Sequence, residues 1–169
     1  SDMTKRKSDR IPTMGSISHG TLRPDDLIPA FASELRRVMR RNGRHTELLR
    51  DADRAIRALE RGEWAPNSYG AKEGIDLDEF ASDVVNDLQD ALGEYAPPYL
   101  YFGTHEGDGA DFGWWPDMHN IRELPQYDDT GAAADDKFCG DFITVSDHGN
   151  IEIYCRFANG KIRNYFGIV

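Results

Sequence analysis

Residues Asp141 to Val169 read "DFITVSDHGNIEIYCRFANGKIRNYFGIV", and the way this stretch pairs with itself decides the fold. Apolar residues alternate with polar ones through Ile151 and Ile153, and again near Phe166 and Ile168 beyond Asn159 and Gly160. A period of two marks a strand with one buried face. Asn-Gly predicts a two-residue hairpin turn with both central residues in the left-handed region. Pairing Ala158 with Lys161 then sets Phe157 opposite Ile162, Ile153 opposite Phe166 and Ile151 opposite Ile168, on one face with Cys155 and Asn164. Glu152, Tyr154, Arg156, Lys161, Arg163 and Tyr165 take the other face. Upstream, "SDHGN" (146–150) predicts a type I turn with Gly149 in a bulge, bringing Val145 against Ile151 and Ile143 against Ile153. Three antiparallel strands result, and a slip of one residue would expose their apolar side chains.

An apolar sheet face needs a cover, and the first half of the chain supplies helices for it. In "TLRPDDLIPAFASELRRVMRR" (21–41), Leu27, Ile28, Phe31, Leu35, Val38 and Met39 fall at helical spacing, with Asp25 or Asp26 placed to cap and Pro29 still in the first turn. After "NGR", Thr46 is placed to cap a second helix with a stripe of Leu48, Leu49, Ala52, Ile56 and Leu59, stopping at Gly62. "GEWAPNSYGAKEG" (62–74) reads as a loop. Asp76 and Glu79 then form a capping-box-like pair ahead of Leu77, Phe80, Ala81, Val84, Val85, Leu88, Ala91, Leu92 and Tyr95, and Pro97 and Pro98 end that helix.

Between helices and ribbon, "YLYFGTH" (99–105) and "ADFGWW" (110–115) read as two short strands around "EGDGA". A short helix from Asp117 closes before Pro125, and "QYDDTGAAADDK" (126–137) reads as a mobile acidic loop. The expected fold is α+β, with N-terminal helices (about 24–96) packed on a C-terminal antiparallel β-sheet (about 99–169) in a single domain from 19 to 169. Residues 1–18 read as a flexible arm that begins like a tag remnant.

Composition bounds the function. A chain of 169 residues buries about two thirds of its unfolded surface without disulfide or metal. A net charge of -10 disfavours nonspecific binding to nucleic acid or acidic lipid. No apolar run approaches the roughly 20 residues of a membrane span, so no membrane partner is expected and the location expected is cytoplasmic. Cys139 and Cys155 have neither CxxC spacing nor a cluster of histidines, which fits reduced thiols in or near a sheet. The charge is also uneven. Residues 1–61 hold 14 of the 20 Lys and Arg and 9 of the 30 acids, for +5; the remainder comes to -15. The Arg-rich helices, with Arg36, Arg37, Arg40, Arg41 and Arg44, offer a nucleic-acid surface as one reading. A solvated face of ion pairs, such as Glu47 with Arg50 or Asp53 with Arg57, is the reading favoured.

"YFGTHEGDGADFGWWPD" (101–117) concentrates the chemistry. Its glycines miss the dinucleotide fingerprint, because the last spacing is one residue too long and Trp114-Trp115-Pro116 stands where a helix should begin. Glu106, Asp108 and Asp111 make half a calcium loop without the terminal glutamate. No cofactor or metal is therefore expected. His105, Asp108, Asp111 and His148, with His119 and Asp147 nearby in kind, would make a hydrolytic or metal-dependent site if the turns converged, since a carboxylate-held histidine is a usable base. No serine or cysteine stands in a nucleophile elbow. Alternation along "DFGWW" sends Phe112 and Trp114 one way and Trp115 the other. At least one large ring then sits at the surface beside Tyr99 or Tyr101, and Trp115 and Tyr101 with Glu106, Asp108 and Asp111 make the expected interaction surface, since exposed rings near acids suit a protein interface; the equal alternative is that Trp115 anchors the short helix after Pro116.

The stretches "SHGTLRPDDLIPAFASEL" (18–35), "APPYLYFGTHEGDGADFGWWPD" (96–117) and "VSDHGNIEIY" (145–154) resemble an uncharacterised family of small phage, plasmid and other mobile-element proteins. The resemblance implies a bacterial host and supplies no activity, catalytic residue or cofactor. The expected function is a noncatalytic protein-binding modulator of host physiology or defence, whose partner is a host or element-encoded protein with a basic surface. A small enzyme using His105, Asp108, Asp111 and His148 is the first alternative, and nucleic-acid binding through the arginines the second.

Overall fold

The computed structural model describes residues 11–39 and 44–169. The elements run β1 (Gly15–His19), α1 (Pro24–Val38), α2 (Thr46–Arg61), α3 (Tyr69–Glu73), α4 (Leu77–Gly93), β2 (Leu100–His105), β3 (Asp108–Pro116), α5 (Met118–Arg122), α6 (Thr130–Asp135), β4 (Gly140–Val145), β5 (Ile151–Arg156) and β6 (Ile162–Ile168). The class is α+β, the longer helices early and antiparallel strands dominating the later half. Two expectations change. The strands form two sheets, β1-β3-β2 and β4-β5-β6, where one was expected, and a register shift alters the last hairpin. The chain divides into two compact units, one ending at Trp115 and one spanning Pro116–Val169. No helix among the described residues is long and apolar enough to cross a membrane.

In the first unit α1 starts at Pro24, whose missing N–H costs nothing at a helix start. Arg23 occupies the cap position with no side-chain cap bond; Asp25 and Asp26 lie in the first turn instead, where the helix dipole favours acids. Asp26 accepts the Thr21 hydroxyl at 2.7 Å. Leu27, Ile28, Phe31, Ala32, Leu35 and Val38 are all buried. Phe31 meets Phe102 and Phe112 edge-on at 5.2 Å each, and Phe102 meets Trp114 at 4.9 Å. These rings are the joint between helix and sheet, each contributing about 1.5–3 kcal/mol by burial. Helix α2 begins after His45, not with Thr46 as its cap, and ends at Gly62 in the left-handed region. Its fully buried line is Ala52, Ala55 and Ala58, while Leu48, Leu49, Ile56 and Leu59 are half-buried flanks. Asp76 caps α4 by accepting the Glu79 N–H at 2.9 Å. The segment expected as a loop contains α3, capped by Ser68.

Strand β1 lies in what reads from sequence as the end of a flexible arm; residues 1–10 of that arm are outside the described residues. It pairs with β3, Gly15 opposite Trp114 and His19 opposite Asp111, with a bulge between Ser16 and Ser18. Gly113 permits the approach, since a Cβ there would lie 2.1 Å from the Gly15 carbonyl oxygen. Phe112 and Trp114 face inward and Trp115 stays half-buried, as alternation requires.

In the second unit Asp117 caps α5 before Pro125, as expected. The segment read as a mobile loop folds as α6, capped by Asp129, whose carboxylate accepts the Ala132 N–H at 2.7 Å. Residues 125–127 then run beside β4, with the Tyr127 N–H donating to the Ile143 carbonyl at 3.0 Å. Tyr127 and Phe138 pack on Phe142, and Phe142 stacks on Tyr154 at 5.5 Å. The β4–β5 register is as expected, Val145 opposite Ile151 and Ile143 opposite Ile153, with Gly149 at φ 83°.

The β5–β6 hairpin departs from the two-residue turn. The Phe157 N–H donates to the Lys161 carbonyl and the Gly160 N–H to the Phe157 carbonyl, so the loop is Ala158, Asn159 and Gly160. Gly160 takes φ 84°, and Asn159 is not among the non-glycine residues at positive φ. Asn159 accepts the Lys161 N–H through its side chain at 2.9 Å. Far from the turn the expected pairs hold, Ile153 with Phe166 and Ile151 with Ile168. A register shift beyond Ile153 absorbs the extra loop residue, leaving Tyr154 opposite Asn164 and Arg156 opposite Ile162. Asn164 and Tyr165 consequently exchange their expected faces: Asn164 donates to Glu152 at 2.8 Å, and the Tyr165 hydroxyl donates to Asp141 at 3.1 Å. Phe157 and Ile162, expected on the buried face, are exposed.

Candidate functional site

The acidic and aromatic residues of 101–117 lie along the β2–β3 hairpin. Glu106 and Gly107 link the strands, and the Gly107 N–H donates to His105 Nδ1 at 3.0 Å. The His105 ring stands edge-on against Trp115 at 4.7 Å, and the Trp115 indole N–H donates to the Asp111 carbonyl at 3.3 Å. The Tyr101 hydroxyl donates to the Thr104 carbonyl at 2.7 Å. Its ring runs past Gly103, within 3.4 Å of where a Cβ would stand. The rings are thereby held by the backbone they sit on.

The carboxylates find different partners from those the sequence suggests. Asp108 Oδ1 accepts the Ala110 N–H at 2.9 Å, and Oδ2 lies 3.4 Å from His19 Nε2. Asp111 accepts the Ser16 hydroxyl at 2.5 Å. Ser16 and His19 come from β1, and neither was expected at the site from sequence. Among the described residues no Lys or Arg pairs with Glu106, Asp108 or Asp111. The hairpin therefore presents negative charge balanced by a hydroxyl, backbone N–H groups and one exposed histidine.

The residues of the enzyme alternative fall in both units, His105, Asp108 and Asp111 in the first and His148 in the second. His105 is spent on Gly107 and Trp115, while His148 belongs to the β4–β5 turn of the other unit. His119 pairs with Glu123 at 3.6 Å on α5. Among the described residues no group of three or more His, Cys, Asp or Glu side chains is disposed to hold a metal ion. Cys139 and Cys155 are free thiols. Burial, then the neighbouring Asp141, pushes the Cys155 thiol up from its ordinary pKa, the wrong direction for a nucleophile.

The described arginines among those proposed for nucleic acid each face a carboxylate. Arg36 reaches Asp53 at 3.1 Å, Arg37 reaches Glu34, and Arg44 lies 3.5 Å from Glu94; Arg40 and Arg41 are outside the described residues. Glu47 pairs with Arg50 as expected, but Asp53 is taken by Arg36 and not by Arg57. Comparison with known protein families, with curated proteins and with solved structures finds no match for this chain.

Proposed function

We propose that this chain is a noncatalytic protein-binding module whose interaction surface is the β2–β3 hairpin with its β1 neighbour. Tyr101 and Trp115 supply rings, and Glu106, Asp108 and Asp111 supply charge. The observation that supports the reading is the absence of any Lys or Arg partner for these three carboxylates among the described residues, beside rings whose hydrogen bonds are already made. Such a surface orients a basic partner and speeds its encounter, while half-buried aromatic side chains supply contact area once docked. The resemblance of three sequence stretches to phage and plasmid proteins supports a partner that is host or element-encoded, and a role in modulating host physiology or defence from the bacterial cytoplasm.

The test is a pull-down from the natural host with wild type and with the Asp108→Lys/Asp111→Lys pair. A partner with a basic surface that is retained by wild type, weakened by salt and lost with the charge reversal is the expected result. A partner held equally by both proteins, or indifferent to salt, rejects this surface.

A further inference from the structure

Helix α2 pairs its early arginines with carboxylates one turn away, Arg50 with Glu47 and Arg54 with Asp51 at 2.7 Å. The pattern then stops. Arg57 and Arg61, which follow Arg54 on the same helix face, are exposed and have no carboxylate partner among the described residues. Arg54, Arg57 and Arg61 all line an open pocket of about 210 Å³ together with Trp64, Ser68 and Tyr69, and no carboxylate residue lines it.

The far wall is set in advance. The Trp64 indole N–H donates to the Ile75 carbonyl at 2.8 Å and its ring stands edge-on to Phe80 at 5.2 Å. Gly70 passes directly beneath that ring, where a Cβ would come within 2.1 Å of the indole carbons. Tyr69 is 52% exposed, unusual for a large ring, and the Arg54 guanidinium sits 5.2 Å from its centroid. Asp51 and Tyr69 together hold Arg54 in place. Ser68 Oγ accepts the Ala71 N–H at 3.4 Å, which leaves its own proton to donate.

We propose that this pocket binds a small phosphate monoester carrying one flat ring. Two open guanidinium forks match a dianionic phosphate in charge and geometry, more than a single carboxylate requires. Trp64 and Tyr69 border the pocket and supply aromatic surface for a planar group. Size limits the ligand: the volume equals about seven waters of the liquid at ~30 Å³ each, room for one phosphate and one ring, and it falls below the ~300–1,000 Å³ of drug-sized sites. This site is separate in sequence and chemistry from the acidic hairpin, and neither reading depends on the other.

Phenyl phosphate is the probe, titrated calorimetrically into the full chain, with inorganic phosphate and phenol as comparisons. Phenyl phosphate should bind at least tenfold more tightly than either comparison, and more weakly as salt is raised. The Arg57→Ala/Arg61→Ala pair, both exposed positions, should keep the wild-type thermal midpoint within a few degrees while weakening phenyl phosphate at least tenfold. Equal affinity in wild type and the doubly substituted protein, phenol binding as tightly as its phosphate, or no heat with phenyl phosphate would each overturn the assignment.

Discussion

The indole N–H of Trp114 donates to Glu34 Oε1 at 2.9 Å, joining strand β3 to helix α1 across 80 positions of sequence. Glu34 is a buried carboxylate, and Arg37 one turn along α1 donates to both of its oxygens. The acid therefore satisfies the indole while the guanidinium balances its charge. Removing it with Glu34→Ala leaves a buried indole donor unpaired and strands Arg37, at a cost of about 2–4 kcal/mol. Glu34→Gln retains an acceptor for Trp114 and should cost less. Urea unfolding of the two variants measures the difference.

Acid stability should report the same carboxylate. Burial pushes the Glu34 pKa up, but the hydrogen bonds from Arg37 and Trp114, with the charge of Arg37, outweigh it and leave the pKa below 4.5. A depressed folded pKa gives stability that is present above the unfolded value and lost as pH falls through the folded one. The stability advantage of wild type over Glu34→Gln should thus shrink as pH is lowered below about 4.5. An advantage that stays constant down to the acid transition would contradict it.

Tyr165 should titrate at the alkaline end. Burial first, and then its hydrogen bond to Asp141, push its pKa up to about 12. With the folded pKa raised, the associated stability is complete below the ordinary 10.0 and disappears as pH climbs toward 12. Spectrophotometric titration of the tyrosines should show a late ionisation that Asp141→Asn brings earlier.

The β5–β6 loop makes a prediction that separates a three-residue turn from a two-residue one. Gly160→Ala forces a side chain into the left-handed region and should cost about 1 kcal/mol. Asn159→Gly should give no stabilisation, because Asn159 is not left-handed and its side chain accepts the Lys161 N–H. Thermal melts of both variants decide the point; a stabilised Asn159→Gly would restore the two-residue geometry.

Gly113→Ala tests the recruitment of β1. Its Cβ would meet the Gly15 carbonyl oxygen, so either strand must move, at a cost of about 1–3 kcal/mol. Amide exchange should show protection lost first along 15–19, with the Asp111–Ser16 bond lost as β1 separates.

Local pattern carried most of the elements. Alternation in 141–156 specified the β4–β5 register because the turn at Gly149 and the burial of Ile143 and Ile153 agree on one pairing. Helical spacing with glycine or proline punctuation located α1, α2 and α4, since those signals act within a few residues of one another. That Trp114 and Trp115 take opposite faces followed from the pleat alone, while which of them is buried did not. The candidate surface was legible to the same extent: its rings and acids lie in one hairpin, contiguous in sequence.

Tertiary structure decided the rest, because the deciding interactions join distant residues. The five residues of β1 are too short and polar to read as a strand until β3 offers a hydrogen-bonding edge, and with them came Ser16 and His19 as partners of the hairpin acids. The strands separated into two sheets because β3 pairs back to β1 while residues 125–127 run beside β4. A three-residue loop at Gly160, balanced by a register shift, kept the Ile153–Phe166 pair and moved Tyr165 to the face of Asp141. Which arginines remained open was settled likewise: Asp53 went to Arg36 on another helix, and Arg57 was left to face the pocket. Spacing along a chain sets what each residue is able to reach, but only the packed fold sets which of several reachable partners it gets.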